Sequence, residues 1–140
     1  MLQQRLIHPE ILESIGAAGH GSRILICDGN YPASTRVGEN ADLVYLNLAP
    51  GKPTVSEVLD ILLTAIPVED AAVMTPDEGA EPPIFQEFRS LMPDLTLTKY
   101  ERYEFYEEAS GPDTCLQIIT GEQRIYANLL LTIGVCTPEL

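Results

Sequence analysis

The sequence predicts an α/β fold: a three-layer α/β/α single domain over residues 1–140, with a mostly parallel or mixed sheet. Segments of helical period alternate with short β-rich apolar runs along the whole chain, which favours a sheet covered by helices on both faces. The 140 residues are 45% hydrophobic, enough for one compact core and too short for a second domain. No internal repeat interrupts this alternation.

Pro9-Glu10 suits a helix first turn, with Ile11, Leu12, Ile15 and Ala18 on one face and Gly19 as the stop. Gly19-His20-Gly21 then turns the chain into a buried strand, Ile24 to Cys27, which ends on Asp28. Ala33 to Ala41 has no period and is a loop. Leu43 to Leu48 is apolar enough for a second strand, which Pro50-Gly51-Lys52-Pro53 breaks. Thr54-Val55-Ser56-Glu57 is a capping box, and the helix behind it carries Val55, Val58, Leu59, Leu62, Leu63 and Ile66 on one broad face before Pro67. Ala71 to Met74 is a candidate strand, and Thr75 to Pro83 an exposed loop. Pro83 opens a short helix with Ile84, Phe88 and Leu91 inward. Leu95 to Thr98 is a brief strand, the aromatics of Tyr100 to Ala109 suit a helix flank, and Cys115 to Thr120 and Leu129 to Val135 are two further β-rich runs.

Twenty-one acidic residues against eight basic ones give a formal charge of -13, and no basic cluster is present. A phosphate backbone or an anionic membrane would be repelled, so neither nucleic acid nor membrane is expected as a partner. A neutral ligand fits this field more easily than a phosphorylated one, although a few arginines could still form a local anion site. Cys27, Cys115 and Cys136 make an odd count without CxxC spacing, which supports neither a disulfide framework nor zinc. The N-terminus lacks a long apolar run with a small-residue cleavage site, and no stretch reaches the roughly 18 apolar residues of a membrane span. A reduced, cytoplasmic protein is the expectation.

Two histidines are available. His8 precedes a proline at a helix entry and is expected to be a solvated terminal residue. His20 lies between two glycines at a rim, where a helix C-cap and a functional group are equally good readings. Asp28 closes an apolar strand, where a carboxylate is costly unless it reaches water, a partner or a ligand; its ordinary use is to form the turn into Gly29-Asn30. The eight residues from His20 to Asp28 bring the two together only if the glycine turn folds back. Arg102, among Glu101, Glu104 and Glu107, is either a surface ion-pair partner or a ligand clamp. Gly19-His20-Gly21 precedes its strand, the wrong order for a dinucleotide fingerprint.

Gly19-His20-Gly21 with Ile24, Asp28 and Pro32, then Ile118-x-Thr120-Gly121-Glu122 with Tyr126-x-Asn128-Leu129 and Gly134-Val135, resembles the D-ribose pyranase and L-fucose mutarotase family. Ala72-Val73-Met74, the run Glu101-Arg102-Tyr103-Glu104-Phe105-Tyr106-Glu107 and Tyr126-Ala127-Asn128 resemble its fucose branch; the ribose branch usually has histidine where Arg102 stands. Each motif alone is weak, but their order and spacing over about 120 residues make the joint match specific. The chain departs from the family in the loop Ala33 to Ala41 and in Tyr31, where the fucose branch often has phenylalanine.

The resemblance implies an isomerase that interconverts the anomers or ring forms of a free reducing monosaccharide. It puts catalysis on His20 and Asp28 and sugar contacts on Asp28, Arg102, Tyr106, Tyr126 and Asn128. It also implies a ring-like homo-oligomer, commonly a decamer, with sites near subunit contacts; the aromatic run Tyr100 to Tyr106 offers apolar surface for such contacts. The chemistry suits these residue types. Opening a cyclic hemiacetal removes a proton from the anomeric hydroxyl and delivers one to the ring oxygen, and histidine, which titrates near pH 6.5, can serve either direction. No cofactor or metal is required. The branch likeness points to L-fucose ahead of D-ribose, the alternative being D-ribose pyranase activity. Two other classes are a sugar-binding accessory protein of an uptake system, and a glycoside hydrolase, which would need a second carboxylate paired with Asp28.

Overall fold

The computed structural model describes residues 1–139. Its elements follow in the order α1 (Pro9–Ala17), β1 (Arg23–Cys27), β2 (Asp42–Tyr45), α2 (Val55–Leu62), β3 (Val68–Met74), α3 (Ile84–Leu91), β4 (Leu97–Tyr100), α4 (Arg102–Ala109), β5 (Thr114–Ile119) and β6 (Leu129–Ile133). The strands form one sheet in the order β2-β5-β1-β6-β3-β4. β1 pairs parallel with β5, β2 with β5, and β3 with β4, whereas β6 runs antiparallel to both β1 and β3. Five strands therefore point one way and β6 the other. The expected mixed sheet between helical layers is what the chain forms.

Alternate residues of each strand feed two cores, as the two-residue side-chain period requires. Ile24 and Ile26 of β1, Ala71 and Val73 of β3, Leu116 and Ile118 of β5, and Leu129 and Leu131 of β6 pack beneath α1, α2 and α3. Their neighbours Leu25, Cys27, Ala72, Met74, Ile119 and Leu130 face the other way, against Phe105, Tyr106 and Ala109 of α4. One face thus carries three helices. The other carries α4 and the loop 28–41, whose Tyr31 and Ala33 complete that core.

The capping box at α2 is present in full: Glu57 N–H donates to Thr54 Oγ1 and Thr54 N–H to Glu57 Oε1, both at 3.1 Å. α2 stops at Leu62 rather than continuing to Ile66, because Thr64 N–H and Ala65 N–H turn back to the Ile61 and Leu62 carbonyls and tighten the last turn. β2 ends at Tyr45 rather than Leu48, since the Leu48 and Ala49 amides bond to the Lys52 carbonyl instead of the sheet. The fourth strand begins two residues late, as Leu95 N–H closes a turn onto Met92. His8 is the N-cap of α1, its Nδ1 accepting from Ile11 N–H at 3.4 Å, rather than a simply solvated residue. The aromatic run is mostly interior: Phe105 and Tyr106 are buried, and of this run Tyr103 stands well out, 59% exposed.

The loop 28–41, which has no periodicity, is fixed by close backbone approach. A Cβ on Gly38 would lie 2.7 Å from the Ser110 carbonyl oxygen, and Asn40 Nδ2 donates to the Pro112 carbonyl at 2.9 Å, so this loop docks onto the end of α4. Gly121 is tighter still, its missing Cβ falling among backbone atoms of Ala49 and Lys52.

Two glycine substitutions separate these roles. Gly16, inside α1, has open space around it, so Gly16→Ala is expected to raise stability by about 0.5–1 kcal/mol through the unfolded chain. Gly121→Ala must displace backbone and is expected to lower the melting temperature sharply; thermal denaturation of the two variants side by side checks the contrast.

Candidate active site

All five parallel strands end at one edge of the sheet, and there β6 begins. Asp28 follows β1, Met74 ends β3, Arg102 starts the helix after β4, and Asn128 precedes β6. Open α/β sheets bind ligands in the crevice beyond the carboxyl ends of their strands, and this edge holds one. A cavity of about 320 Å³ is lined by Asp28, Asn30, Tyr31, Met74, Arg102, Tyr106, Ile125, Tyr126 and Asn128. Five of the six residues singled out from sequence therefore meet: Asp28, Arg102, Tyr106, Tyr126 and Asn128.

His20 does not join them in the same chain. It precedes β1, whose five residues at roughly 3.3 Å each put more than about 15 Å between the two ends. At that opposite edge it is neither a helix cap nor unpartnered. The C-cap of α1 is Ala18, and His20 Nε2 lies 3.0 Å from both carboxylate oxygens of Glu69 in β3. Gly21 makes the turn with a φ of 86°, in the region glycine favours.

Asp28 is 4% exposed and does two jobs. Its Oδ1 accepts from Asn30 N–H at 2.9 Å, the expected turn bond, while its own N–H donates to Asn128 Oδ1 at 2.9 Å. Burial pushes the carboxyl above its ordinary range, opposed by the amides of Asn30 and Tyr31, the Asn128 side chain and the Ala127 amide. The outcome is a carboxyl group that holds its proton more readily than a surface aspartate, next to a neutral amide that can donate or accept. Among the described residues Arg102 has no carboxylate partner, contrary to its surface ion-pair reading; its Nε donates to Tyr106 Oη at 3.1 Å.

The segment carrying Tyr126 and Asn128 is held from several sides. Thr120 Oγ1 donates to the Cys27 carbonyl at 2.8 Å, and Gly29 N–H donates to the Glu122 carbonyl at 2.9 Å, so Thr120 to Glu122 clasp the turn that begins at Asp28. Glu122, 3% exposed, accepts from Gln123 N–H at 3.1 Å and from Arg124 Nη2 at 2.7 Å. Arg124 continues to Glu87 of α3, which accepts from Ser56 Oγ in α2 at 3.0 Å. Burial would raise the Glu122 carboxyl, but the Arg124 guanidinium and the backbone amides outweigh it and hold it below its ordinary value. Tyr126 takes a φ of 59°, a left-handed conformation that a residue with a Cβ adopts only when its surroundings impose it.

Sequence reasoning missed Glu69, Met74 and Ile125 as neighbours of the candidate residues. Glu69 carries no motif, and Met74 enters only within the run Ala72-Val73-Met74, which gives it no site role; both come close through the position of β3 in the sheet. Ile125 follows the polar run Glu122-Gln123-Arg124 and stands next to Tyr126, and it is 70% exposed. Glu122 was part of a recognised motif, but its buried ion pair became visible only with α2 and α3 in place.

The two buried carboxyls give opposite pH signatures. Asp28 has a raised folded pKa, so its ionisation costs stability as pH rises through that value; Asp28→Asn is expected to unfold at higher temperature than the wild type at pH 7, an advantage that disappears below the unfolded value of 3.8. Glu122 has a lowered folded pKa, so its contribution is full above the unfolded value of 4.5 and is lost as pH falls through the folded one. Glu122→Gln is expected to cost about 1–3 kcal/mol at pH 7 and progressively less in acid. Calorimetric scans from pH 3 to 7 measure both.

The sequence model of the RbsD / FucU transport protein family matches residues 1–136. Human fucose mutarotase is 31% identical over 144 residues, covering 93% of this chain and 90% of that protein. A D-ribose pyranase of Streptomyces coelicolor is 32% identical over 135 residues, covering 96% and 98%. The crystal structure of the fucose mutarotase from Streptococcus pneumoniae in complex with L-fucose superposes with a TM-score of 0.84 at 25% identity, over 98% of this chain and all of that one. Bacillus subtilis RbsD complexed with D-ribose has the same fold, with a TM-score of 0.85 at 22% identity and coverage of 98% and 100%.

Proposed function

Because the chain belongs to the RbsD / FucU transport protein family, we propose that it is a mutarotase, interconverting the anomers and ring forms of a free reducing monosaccharide. The observation that carries this reading is the convergence of Asp28, Arg102, Tyr126 and Asn128 on one cavity at the carboxyl edge of the sheet. A carboxyl, a guanidinium, a phenol and an amide are the mixed donors and acceptors that a polyhydroxylated ring needs. Met74, Ile125 and the rings of Tyr31 and Tyr106 supply apolar walls.

In this mechanism Asp28 and Asn128 hold ring hydroxyls, Tyr126 orients the anomeric end and Arg102 donates to the sugar beside Tyr106. A proton leaves the anomeric hydroxyl as another reaches the ring oxygen, the C–O bond opens to the free carbonyl, rotation exchanges the faces, and the ring recloses. His20 is the proton carrier, supplied to the cavity by a neighbouring copy, because its own chain holds it at the far edge. Positioned acid and base groups of this kind contribute about 10²–10⁴-fold. The assembly is a homo-oligomer, a decameric ring by family likeness, in the cytoplasm, with no metal or redox cofactor in the reaction.

L-fucose, or another 6-deoxy sugar, is the preferred substrate: Arg102 and Tyr106 follow the fucose-branch pattern, and a methyl group against these walls is worth roughly 1 kcal/mol, enough for preference without exclusion. Human fucose mutarotase and the Streptomyces pyranase are about equally similar to the chain, so D-ribose is the specific competitor.

Saturation-transfer NMR of a sugar panel at fixed protein concentration is expected to show L-fucose anomer exchange faster than D-ribose exchange; accelerated ribose ring exchange with no effect on fucose reverses the substrate, and saturable binding without acceleration identifies an accessory binding protein. His20→Ala is expected to remove most catalysis while remaining folded. Mixing inactive His20→Ala with inactive Arg102→Ala after subunit exchange is expected to restore part of the activity, since some sites then combine an intact histidine with an intact pocket. Light scattering that returned an active species of 15.4 kDa would refute the shared site.

A further inference from the structure

Cations are scarce in this chain, eight against 21 acidic residues, and most are used. Arg5, Arg23, Arg89, Lys99 and Arg124 each pair with a carboxylate, whereas among the described residues Arg36, Lys52 and Arg102 pair with none. Two of these three converge on one ring. The Arg36 guanidinium carbon lies 4.9 Å from the centroid of Tyr106 and that of Arg102 lies 5.6 Å from it, with Arg102 also bonded to the Tyr106 hydroxyl.

Tyr106 is a wall of the cavity described above, and Tyr31 meets it edge-on with centroids 5.4 Å apart. Tyr31 also lines the cavity, is 7% exposed, and its buried hydroxyl has no hydrogen-bond partner among the described residues. A buried phenol without a partner costs free energy that a ligand acceptor would recover. Of the carboxylates near Arg102 in sequence, Glu101 Oε1 accepts from Glu104 N–H and Glu108 pairs with Arg23. Arg36 is brought here by the loop that also delivers Asp28 and Tyr31, its N–H bonded to the Pro32 carbonyl at 3.0 Å.

Arg102 lines the cavity and Arg36, outside its lining, reaches the same Tyr106 ring, so two guanidinium groups without carboxylate partners and a phenol without an acceptor gather around this wall among the described residues. We propose that the cavity also takes reducing monosaccharides bearing an anionic group, with Arg36 and Arg102 binding a carboxylate or phosphate on the exocyclic carbon while Asp28 and Asn128 hold the ring. This rests on the sugar reading above and extends it from neutral deoxy sugars to hexuronates and hexose phosphates. Guanidinium groups bind both oxyanions through paired N–H donors, and stacking on tyrosine pre-orients the planar fork. Asp28 opposes an anion at its own end, which sets the orientation: charge toward Tyr106, ring hydroxyls toward Asp28.

The test uses the whole chain and three sugars of one ring configuration, D-galactose, D-galacturonate and D-galactose 6-phosphate, followed by NMR exchange. For wild type at low salt, kcat/KM for at least one charged sugar is expected to exceed that for galactose by about tenfold; a preference for galacturonate assigns a carboxylate and a preference for the phosphate assigns phosphate. Arg36→Gln is expected to reduce the charged-to-neutral ratio about tenfold, Arg36→Glu to reverse it, and Arg36→Lys to restore part of it. Charged sugars handled no better than galactose, or a ratio unmoved by Arg36→Glu, overturn the inference while leaving the mutarotase reading intact. If no sugar, L-fucose included, is exchanged, the mutarotase reading fails by itself. Calorimetric titrations with galacturonate and with D-galactose 6-phosphate then decide the inference: saturable binding of either that Arg36→Glu abolishes upholds it, and no binding of either overturns it.

Discussion

The absence of one side chain at Gly121 organises much of the carboxyl edge of the sheet. With no Cβ there, the backbone of residues 49–53 closes onto the end of β5: Gly51 N–H donates to the Gly121 carbonyl at 2.6 Å and Gly121 N–H to that of Pro53 at 3.0 Å. This contact fixes the start of the loop that returns to β6 and, through Thr120 and Glu122 on either side, the turn at Asp28. The Asp28 backbone N–H and the Asn128 side-chain oxygen, from residues one hundred positions apart, are thereby held at hydrogen-bond distance. Preorganisation here is a property of backbone packing, with side-chain ion pairs as reinforcement.

Strand direction explains the division of the candidate residues. Residues that follow parallel strands and the residue that precedes the single antiparallel strand share one edge, and whatever precedes β1 must lie at the other. His20 and Asp28 flank the same strand, so their separation is set by the strand's length and no loop rearrangement within the chain removes it. A reaction that needs both is a reaction of two chains.

The alternation of element types was legible in sequence because apolar period and capping chemistry are local: the Thr54 to Glu57 box, the strand from Ile24 to Cys27 and the stop at Gly19 are each written within a few residues. Element ends were less legible. Leu48, Ile66 and Leu95 are apolar and propensity-compatible with the longer elements, but the hydrogen bonds that end those elements go to Lys52, Leu62 and Met92 in turns whose geometry has no hydrophobic signature. Five candidate residues were named through a resemblance spread over the chain, and their convergence on one cavity became apparent only from sheet order. The partnership of His20 with Glu69 is a product of strand register. Arg36 was passed over because its loop has no period, and its position is set by where Gly38 and Asn40 dock on α4.

The left-handed backbone at Tyr126 bears on how such a pocket can diverge. Glycine or asparagine would relax that position, yet either discards the phenol, while valine, isoleucine or threonine adds a branch the conformation resists. Position 126 is caught between backbone and chemistry, and selection acting on it finds few neighbours that keep both. Mutational drift toward new ligands is channelled instead to residues on ordinary backbone, Arg102 at the cavity and Arg36 beside Tyr106 among them, where side chains can be exchanged one at a time without disturbing the frame around Tyr126.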